Sequence, residues 1–163
     1  MLSGTDVDFL RGLSLFAGMS DAALTCIAEH ARRVDLGPGE VLLREGDPAK
    51  EMLVVMAGRL EVIKRNGAAE ACIATLGPGE VAGEMALIDI QPRSAEVRSV
   101  ESASVIVMGN ADIAAVYRED QKSYTLLVLN IAREISLRLR RLDQLLADLM
   151  FDIHDITRGK KRS

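Results

Sequence analysis

Residues 5 to 33 follow a helical pattern of hydrophobic and polar positions. Ser20 before Asp21 is a favourable N-terminal cap for the second part of this stretch. The apolar residues of that second helix share one face: Leu24, Ile27, Ala28 and Ala31. The pattern therefore predicts an N-terminal helical segment over residues 1–33.

Over residues 34–110 the hydrophobic period changes to two, which is typical of β-strands. Glycine, proline and asparagine separate the short apolar runs. Six strands are predicted: Val41–Leu43, Met52–Ala57, Arg59–Lys64, Ala71–Leu76, Ala95–Val100 and Ala103–Met108. Many short strands at this spacing indicate a sandwich, a jelly roll or a barrel.

Two kinds of turn are explicit between these strands. Asn66-Gly67 predicts a hairpin, because both residue types tolerate positive φ. The sequence Gly-Pro-Gly-Glu occurs at 37–40 and again at 77–80. Proline followed by glycine predicts a type II turn. We interpret the repeat as two equivalent turns of one β-structure, without a chemical role.

From residue 111 the helical period returns, with a short helix over Ala111–Tyr117 and a long one over about 121–149. Apolar positions late in the long helix alternate at three and four, as in a coiled-coil seam: Leu139, Leu142, Leu146, Leu149 and Ile153. The helix could pack on its own β-domain. A homodimer is favoured, because the C-terminal half extends beyond what a small β-domain could cover. Residues 111–152 are assigned to lid or dimerisation helices, and residues 153–163 to a basic tail.

The composition, 48% hydrophobic and 27% charged over 163 residues, predicts one globular domain, or one domain with an appended helix. No apolar run approaches the ~20 residues of a membrane helix, and the longest, Leu126 to Ala132, is interrupted by Asn130. The N-terminus carries acids where a signal peptide needs lysines. We expect a cytoplasmic protein without membrane insertion.

Sequence-specific DNA binding by this chain is not expected. The net charge is −4, tryptophan is absent, and Phe and Tyr total five, which disfavours nucleic-acid binding by a general field or by stacking. The few residues after Leu149 cannot build the helices of a helix-turn-helix module. Any output would have to pass to another, unknown effector protein, unless this sequence is part of a longer chain.

Metal chemistry and catalysis are also disfavoured. Cys26 and Cys72 are too few and too distant for a disulfide framework or a zinc site, and His30 and His154 add no pair at ligand spacing. Cys26 and His30 lie four apart on a helix, but no orienting acid beyond Glu29 accompanies them. We expect no bound metal and no enzymatic activity.

The chemistry-bearing segment is residues 83–95. Gly83 opens a short helical turn, whose free N–H groups and positive dipole end suit an anion. Arg93 follows at the mouth of that turn and presents two parallel donors that match a phosphate. Glu84 could accept hydrogen bonds from a sugar hydroxyl. Together these residues predict a pocket for a sugar phosphate.

This segment, GEMAL followed by PRSA, resembles the phosphate-binding cassette of cyclic nucleotide-binding domains. The bacterial catabolite activator, regulatory subunits of cyclic-nucleotide-dependent kinases and cyclic-nucleotide-gated channels share that domain. The resemblance covers roughly residues 10–150. It includes further motifs: Leu15-Phe16, Met19-Ser20, Gly39-Glu40, Glu45-Gly46-Asp47, Gly58 and Gly79-Glu80. It implies an α+β protein, an antiparallel β jelly roll (double-stranded β-helix) over 34–110 between the N-terminal helical segment and a long C-terminal helix.

The resemblance implies roles for matching residues. Arg93 would hold an equatorial oxygen of the cyclic phosphate, and Glu84 would accept the ribose 2′-OH. Gly83 would let the backbone approach the sugar, while the amides near Ala86 and Ser94 and the Ser94 hydroxyl complete the phosphate site. The expected ligand-binding set is Gly83, Glu84, Met85, Ala86, Arg93, Ser94 and Ala95.

Glu61 lies where family members often carry an acid that orients the arginine, but a solvent-facing strand residue explains it equally well. The chain also departs from the family pattern: Ala82 stands where phenylalanine is common, and Ile88 and Ile90 flank Asp89 where glycine or a polar residue is common.

The ligand base, which decides between cAMP and cGMP, is often capped by the C-terminal helix in this family. The candidates here are Arg133, Ser136 and Arg138, with Arg138 nearest by counting, although helix arginines are more often solvated. We expect cAMP, with cGMP as the alternative, and a signal carried by closure of the C-terminal helix. The second hypothesis is a binding-dead module used for dimerisation or protein docking. The intact Arg93, Glu84 and Ser94 argue against it.

Overall fold

The computed structural model describes residues 1–88 and 91–159. The N-terminal segment contains helix α1 (Gly4–Arg11), a 3-10 helix (Ser14–Phe16) and helix α2 (Asp21–His30). The predicted cap of α2 is confirmed, because the hydroxyl of Ser20 accepts a hydrogen bond from the third residue of the helix at 3.2 Å. The helical prediction is wrong at its end, since a strand already begins at Arg32.

Eight strands follow within the described residues, in chain order β1 (Arg32–Leu36), β2 (Val41–Leu43), β3 (Glu51–Ala57), β4 (Leu60–Asn66), β5 (Ala69–Leu76), β6 (Val81–Ala82), β7 (Glu96–Ser99) and β8 (Ala103–Gly109). All six predicted strands are present, with ends that shift by no more than two residues. Strands β1 and β6 were not predicted.

The strands form two four-stranded antiparallel sheets with the orders β1-β8-β3-β6 and β2-β7-β4-β5. The α+β prediction of an antiparallel jelly roll with flanking helices is thereby confirmed. The short pairing of β6 with β3, at Leu53↔Ala82 and Val54↔Val81, fixes the chain just before residue 83. The candidate cassette therefore begins at a defined position on the first sheet.

The predicted turns are present. Gly39 and Gly79, the third residues of the two turns, have positive φ angles of 77° and 87°. In each turn the N–H of the first glycine donates to the carboxylate of the glutamate in fourth position, at 2.9 Å in 37–40 and 2.8 Å in 77–80. The hairpin between β4 and β5 differs from its prediction. Asn66 pairs with Ala69 inside the ladder, so the loop is Gly67-Ala68 and only Gly67 has positive φ. This matches a type II′ turn.

Two apolar clusters form the core. One lies between the sheets and is built from residues of both, including Leu53, Leu60 and Val105. The other joins the N-terminal helices to the first sheet and to the last helices: Leu10, Phe16, Leu24, Ile27, Met52, Ile106, Met108, Leu127 and Ile131. The second cluster holds the start of the C-terminal helix against the body of the domain.

Helix α3 (Asn110–Glu119) and helix α4 (Gln121–Gly159) end the described chain. Helix α4 has 39 residues and is therefore about 58 Å long. The prediction that this helix ends near Leu149 is wrong, because α4 continues to Gly159. The helix also runs through residue 153, where the basic tail was expected to begin. Residues 160–163 lie outside the described part of the chain. Within the described residues, no helix combines the length and apolarity that a membrane crossing requires.

Candidate functional site

The cassette opens at Gly83, whose φ of 76° lies in the left-handed region. The 3-10 helix Glu84–Leu87 follows directly. A Cβ atom on residue 83 would lie 2.5 Å from Nη1 of Arg93 and 2.8 Å from the carbonyl oxygen of Glu51. Both the backbone conformation and the available space therefore require glycine here.

Arg93 lies against this turn with one half of its guanidinium unpaired. Its Nη2 donates to the carbonyl oxygen of Glu51 at 2.5 Å. Its Nη1 is buried and has no hydrogen-bond partner among the described residues. Burial lowers the pKa of the Arg93 guanidinium, while the charges of Glu51, Asp47 and Glu84 oppose that shift. A buried cationic donor without an acceptor suits an anionic oxygen.

The backbone around Arg93 is fixed by the loop between β2 and β3. The Arg93 N–H donates to the carbonyl of Asp47 at 2.8 Å, and the N–H of Gly46 donates to the Arg93 carbonyl at 2.9 Å. Lys64 on β4 donates to the Ser94 carbonyl at 2.5 Å and also to the carboxylate of Glu45. The Glu45-Gly46-Asp47 motif thus positions the end of the cassette.

Glu84 is 5% exposed and is paired with a residue of the C-terminal helix. Nη1 of Arg138 lies 2.8 Å from Oε1 of Glu84, and Nη2 of Arg138 donates to the carbonyl of Val81. Helix α4 thereby contacts the very carboxylate that the resemblance assigns to the sugar. The contact joins residues 54 positions apart in the sequence.

Of the three base-cap candidates, the structure brings only Arg138 to the cassette. Arg133 instead donates to the side-chain oxygen of Asn130 at 2.8 Å. Ser136 is exposed. The solvated-face interpretation of the helix arginines therefore fits Arg133, which is exposed, but not Arg138, which is half-buried against Glu84.

Glu61 does not orient Arg93 in this structure, which corrects that hypothesis. Its Oε2 pairs with Nη2 of Arg98 at 3.4 Å, because the two residues are cross-strand partners between β4 and β7. The group that Arg93 contacts is the backbone of Glu51 on β3. The side chain of Glu51 is itself paired with Arg32 at 3.1 Å.

The remaining predicted site residues are placed less tightly. Met85 and Ser94 are exposed, and Ala95 is half-buried just before β7. For Ala86 only the backbone is described, and Asp89 and Ile90 lie outside the described residues. Within the described part of the chain, no cluster of three or more His, Cys, Asp or Glu side chains could hold a metal.

An apolar groove of about 690 Å³ lies behind the cassette, between its end and helices α3 and α4. Leu87 and Ile88 form one wall, and Tyr117 and Tyr124 form part of the other. The two tyrosine rings meet edge to face with centroids 5.1 Å apart. Glu84 and Arg93 do not line this groove. The groove is therefore distinct from the position of these two side chains.

Asn130 is a contact that sequence reasoning missed. Its buried amide donates to the carbonyls of Leu15 and Ala17 at 3.0 and 3.1 Å, which fixes α4 to the N-terminal segment. The signal was present as the single polar residue within the apolar run 126–132. The sequence carries no such signal for the Glu51 carbonyl as the acceptor of Arg93, because every residue has a backbone carbonyl.

Comparison with known proteins identifies the family. The model of the cyclic nucleotide-binding domain matches residues 33–120, more than half of the chain. The chain belongs to the cyclic nucleotide-binding domain family. The match spans both sheets and the whole cassette. The resemblance inferred from the GEMAL and PRSA motifs is thus confirmed.

Three relatives illustrate the range of this family. The "Cyclic AMP receptor protein" of Thermus thermophilus is 28% identical over 154 residues, which is 94% of this chain and 67% of that protein. The "Acetyltransferase Pat" of Mycolicibacterium smegmatis is 34% identical over 56% of this chain and only 28% of that protein. The cAMP co-crystal structure of the Toxoplasma gondii PKA regulatory domain has a TM-score of 0.65 at 25% identity, covering 71% of this chain and 46% of that one.

This chain therefore spans only part of several larger relatives. The matched unit is a nucleotide-binding domain of the regulatory kind, and the names of whole relatives include both a receptor and an acetyltransferase.

Proposed function

We propose that this chain is a cytoplasmic regulatory module that binds a cyclic mononucleotide, cAMP in preference to cGMP. The observation that carries the proposal is the buried Nη1 of Arg93, which has no partner among the described residues and lies beside Gly83. A family member without a ligand would gain nothing from a buried, unpaired cationic donor, because such a group is costly.

The cyclic phosphate would lie against Arg93 and the 3-10 turn. One phosphate oxygen would accept from Nη1 of Arg93, while Nη2 stays on the Glu51 carbonyl. The left-handed Gly83 allows the sugar to approach the backbone. The ribose 2′-OH would donate to Glu84, and a carboxylate has room for this hydroxyl as well as for Arg138.

The signal would travel through helix α4. Arg138 of α4 forms an ion pair with Glu84 of the cassette. Leu87, the last residue of the 3-10 helix, packs against the cluster that holds the start of α4. Binding would therefore stabilise the arrangement in which α4 covers the cassette. Coupling of this kind is typically about 1–3 kcal/mol. We propose that residues 111–152 act as lid and dimerisation helices, with output to an effector protein in trans.

The choice of cAMP is supported by the names of the relatives. A cyclic AMP receptor protein is similar over 94% of this chain, and a PKA regulatory domain of similar fold was crystallised with cAMP. Arg138 of α4, whose side chain is 35% exposed while it contacts Glu84, is the residue that we propose caps the base.

Titration calorimetry with cAMP and with cGMP tests the proposal. Micromolar affinity corresponds to about −8 kcal/mol. Arg93→Ala should remain folded and lose roughly 2–5 kcal/mol of binding, because the phosphate loses its cation. Arg98→Ala is the matched control, since Arg98 is a half-buried arginine that pairs with Glu61 and not with the cassette. Equal affinities of both variants and the wild type would place the ligand elsewhere.

A second candidate function rests on the buried Glu84. Because Arg138 already occupies this carboxylate, the module could keep its fold without binding nucleotide and serve dimerisation or docking. Absence of heat with millimolar cAMP and cGMP, for both the wild type and Arg138→Ala, would favour this function over the sensor.

A further inference from the structure

Two backbone N–H groups follow Arg93 in the chain, those of Ser94 and Ala95. Neither of them donates to an acceptor among the described residues. They lie directly before strand β7 and next to the arginine whose buried Nη1 also has no partner within the described part of the chain. Amide donors beside a cationic donor form a site that suits an anion. How strongly these amides donate therefore affects how tightly such an anion is held.

The peptide group between these two residues is bound by Lys64. Nζ of Lys64 donates to the carbonyl oxygen of Ser94 at 2.5 Å. That oxygen and the N–H of Ala95 belong to the same peptide group, so a cation on the oxygen polarises the group and makes its N–H a stronger donor. Because the peptide is trans, its carbonyl and its N–H point in opposite directions. Lys64 therefore acts from the side opposite to the acceptor of the Ala95 N–H and does not compete with it.

The register of the sheet and an ion pair hold Lys64 in this position. Strand β4 pairs with β7 as far as Ile63 opposite Glu96, so the next residue, Lys64, lies beside the segment that enters β7. Lys64 also forms an ion pair with Glu45 of the β2–β3 loop, and this hydrogen bond is the main cause that lowers the pKa of the Glu45 carboxyl. The second oxygen of Glu45 accepts the N–H of Arg65 at 3.1 Å. The ammonium group is thus held in place although the Lys64 side chain is 49% exposed.

We propose that Lys64 is a positioning residue of the nucleotide site, which orients and polarises the peptide group between Ser94 and Ala95 for the cyclic phosphate. The Ala95 N–H then donates to one of the two exocyclic oxygens of that phosphate. This inference rests on the proposed function, because it names a further residue on which nucleotide affinity depends. Strand β4 thereby supplies the site with a second cation, which lies outside the cassette motif and acts on the phosphate through the backbone.

Titration calorimetry with cAMP, or with cGMP if it binds more tightly, measures the contribution of Lys64. Lys64→Met keeps an apolar stem of similar length but removes the charged donor, so affinity should fall about tenfold. This factor corresponds to about 1.4 kcal/mol, close to the lower end for a hydrogen bond from a charged group. Lys64→Arg retains a cationic donor and should bind within about threefold of the wild type. Lys122→Met is the matched control, since Lys122 is exposed in the first turn of α4 and its replacement should leave the affinity unchanged.

Two phosphorothioate analogues of the nucleotide test where Lys64 acts. In each diastereomer a sulfur atom replaces one of the two exocyclic oxygens, and sulfur is a weak hydrogen-bond acceptor. For the diastereomer whose sulfur lies at the Ala95 N–H, Lys64→Met should weaken binding by no more than about twofold, while the other diastereomer keeps the loss of about tenfold. Equal losses for both analogues would mean that Lys64 only stabilises the surrounding loops, which overturns the proposal. Lys64→Arg binding as weakly as Lys64→Met overturns it as well.

The amide proton of Ala95 provides a measurement that needs no ligand. In NMR spectra its resonance should move upfield in Lys64→Met, because the peptide group is less polarised, and should stay near the wild-type position in Lys64→Arg. Amide resonances of the N-terminal helices should not move, which shows that the variant is folded. An unchanged Ala95 resonance in Lys64→Met overturns the proposal. If the wild type binds neither cAMP nor cGMP, the proposed function fails, while the Ala95 resonance still decides whether Lys64 polarises this peptide group.

Discussion

Replacing Gly83 by alanine tests how the cassette holds Arg93. Residue 83 has a φ of 76°, and its Cβ would lie 2.5 Å from Nη1 of Arg93 and 2.8 Å from the Glu51 carbonyl. The backbone oxygen belongs to strand β3 and cannot move easily. The guanidinium must therefore leave its position.

The expected effect has two separable parts. An L-residue in the left-handed region costs about 1–2 kcal/mol of folding free energy. Displacement of Arg93 also breaks its hydrogen bond to Glu51, which contributes roughly 1.5–3 kcal/mol as a bond from a charged group. Nucleotide binding suffers separately, because a displaced guanidinium cannot reach the phosphate. We expect affinity to fall by at least about 30-fold, which is the lower end of losing a buried charge contact.

Gly39→Ala is a close control for the backbone part. Gly39 has a φ of 77°, almost the same as residue 83, but no atom lies within 4 Å of its Cβ position. Urea unfolding should show a loss of about 1–2 kcal/mol for Gly39→Ala and a larger loss for Gly83→Ala. Calorimetry should show unchanged nucleotide affinity for Gly39→Ala. If the two variants unfold and bind alike, crowding by Arg93 does not explain why residue 83 is glycine.

Two further predictions concern the attachment of helix α4. Asn130→Ala leaves two carbonyls of the N-terminal segment without their donor, so urea unfolding should show the free energy of unfolding lowered by about 2 kcal/mol. The control Gln144→Ala, on the exposed part of the helix, should change this free energy little. Equal stability of both variants would contradict the role of Asn130. Hydrogen bonds, first from the Ser123 hydroxyl and then from the Ser20 hydroxyl, lower the pKa of Asp120 from 3.8 to about 2. The stabilising effect of the Asp120 carboxylate is therefore complete above about pH 4 and is lost as the pH falls towards 2. Asp120→Asn should flatten this part of the pH–stability curve, which is measured by unfolding across the range. An unchanged curve would argue against the low pKa.

The fold was largely predictable because short apolar runs are bounded by clear turn residues. Strand β3, for example, has four consecutive buried residues and clear turn residues on either side. Strand β1 was missed because it begins with two exposed arginines, which look like the end of the preceding helix. Strand β6 has two residues and is defined only by its pairing with β3.

The end of α4 was placed too early for a different reason. The prediction stopped the helix at Leu149, although the seam continues to Ile156 and no glycine or proline intervenes before Gly159. A continuous stretch without glycine or proline is therefore a reason to extend a predicted helix beyond the last obvious leucine.

The site was predictable only where local motifs define it. Gly83, Glu84 and Arg93 follow from one continuous segment, and the structure places Gly83 and Arg93 in contact. The partner of Glu61 depends on the register between β4 and β7, which no local pattern encodes. The contact of Arg138 with Glu84 depends on how α4 crosses the domain. Counting residues along the helix pointed to the arginine that reaches the cassette, but not to its contact with Glu84.

The length of α4 beyond its last contact with the cassette gives small motions a large reach. From Arg138 to Gly159 the helix extends about 30 Å, so a tilt of about 10° at Arg138 would displace its far end by roughly 5 Å. Helix α4 thus has the geometry of a lever arm, whose short end contacts Glu84 and whose long end extends about 30 Å beyond Arg138.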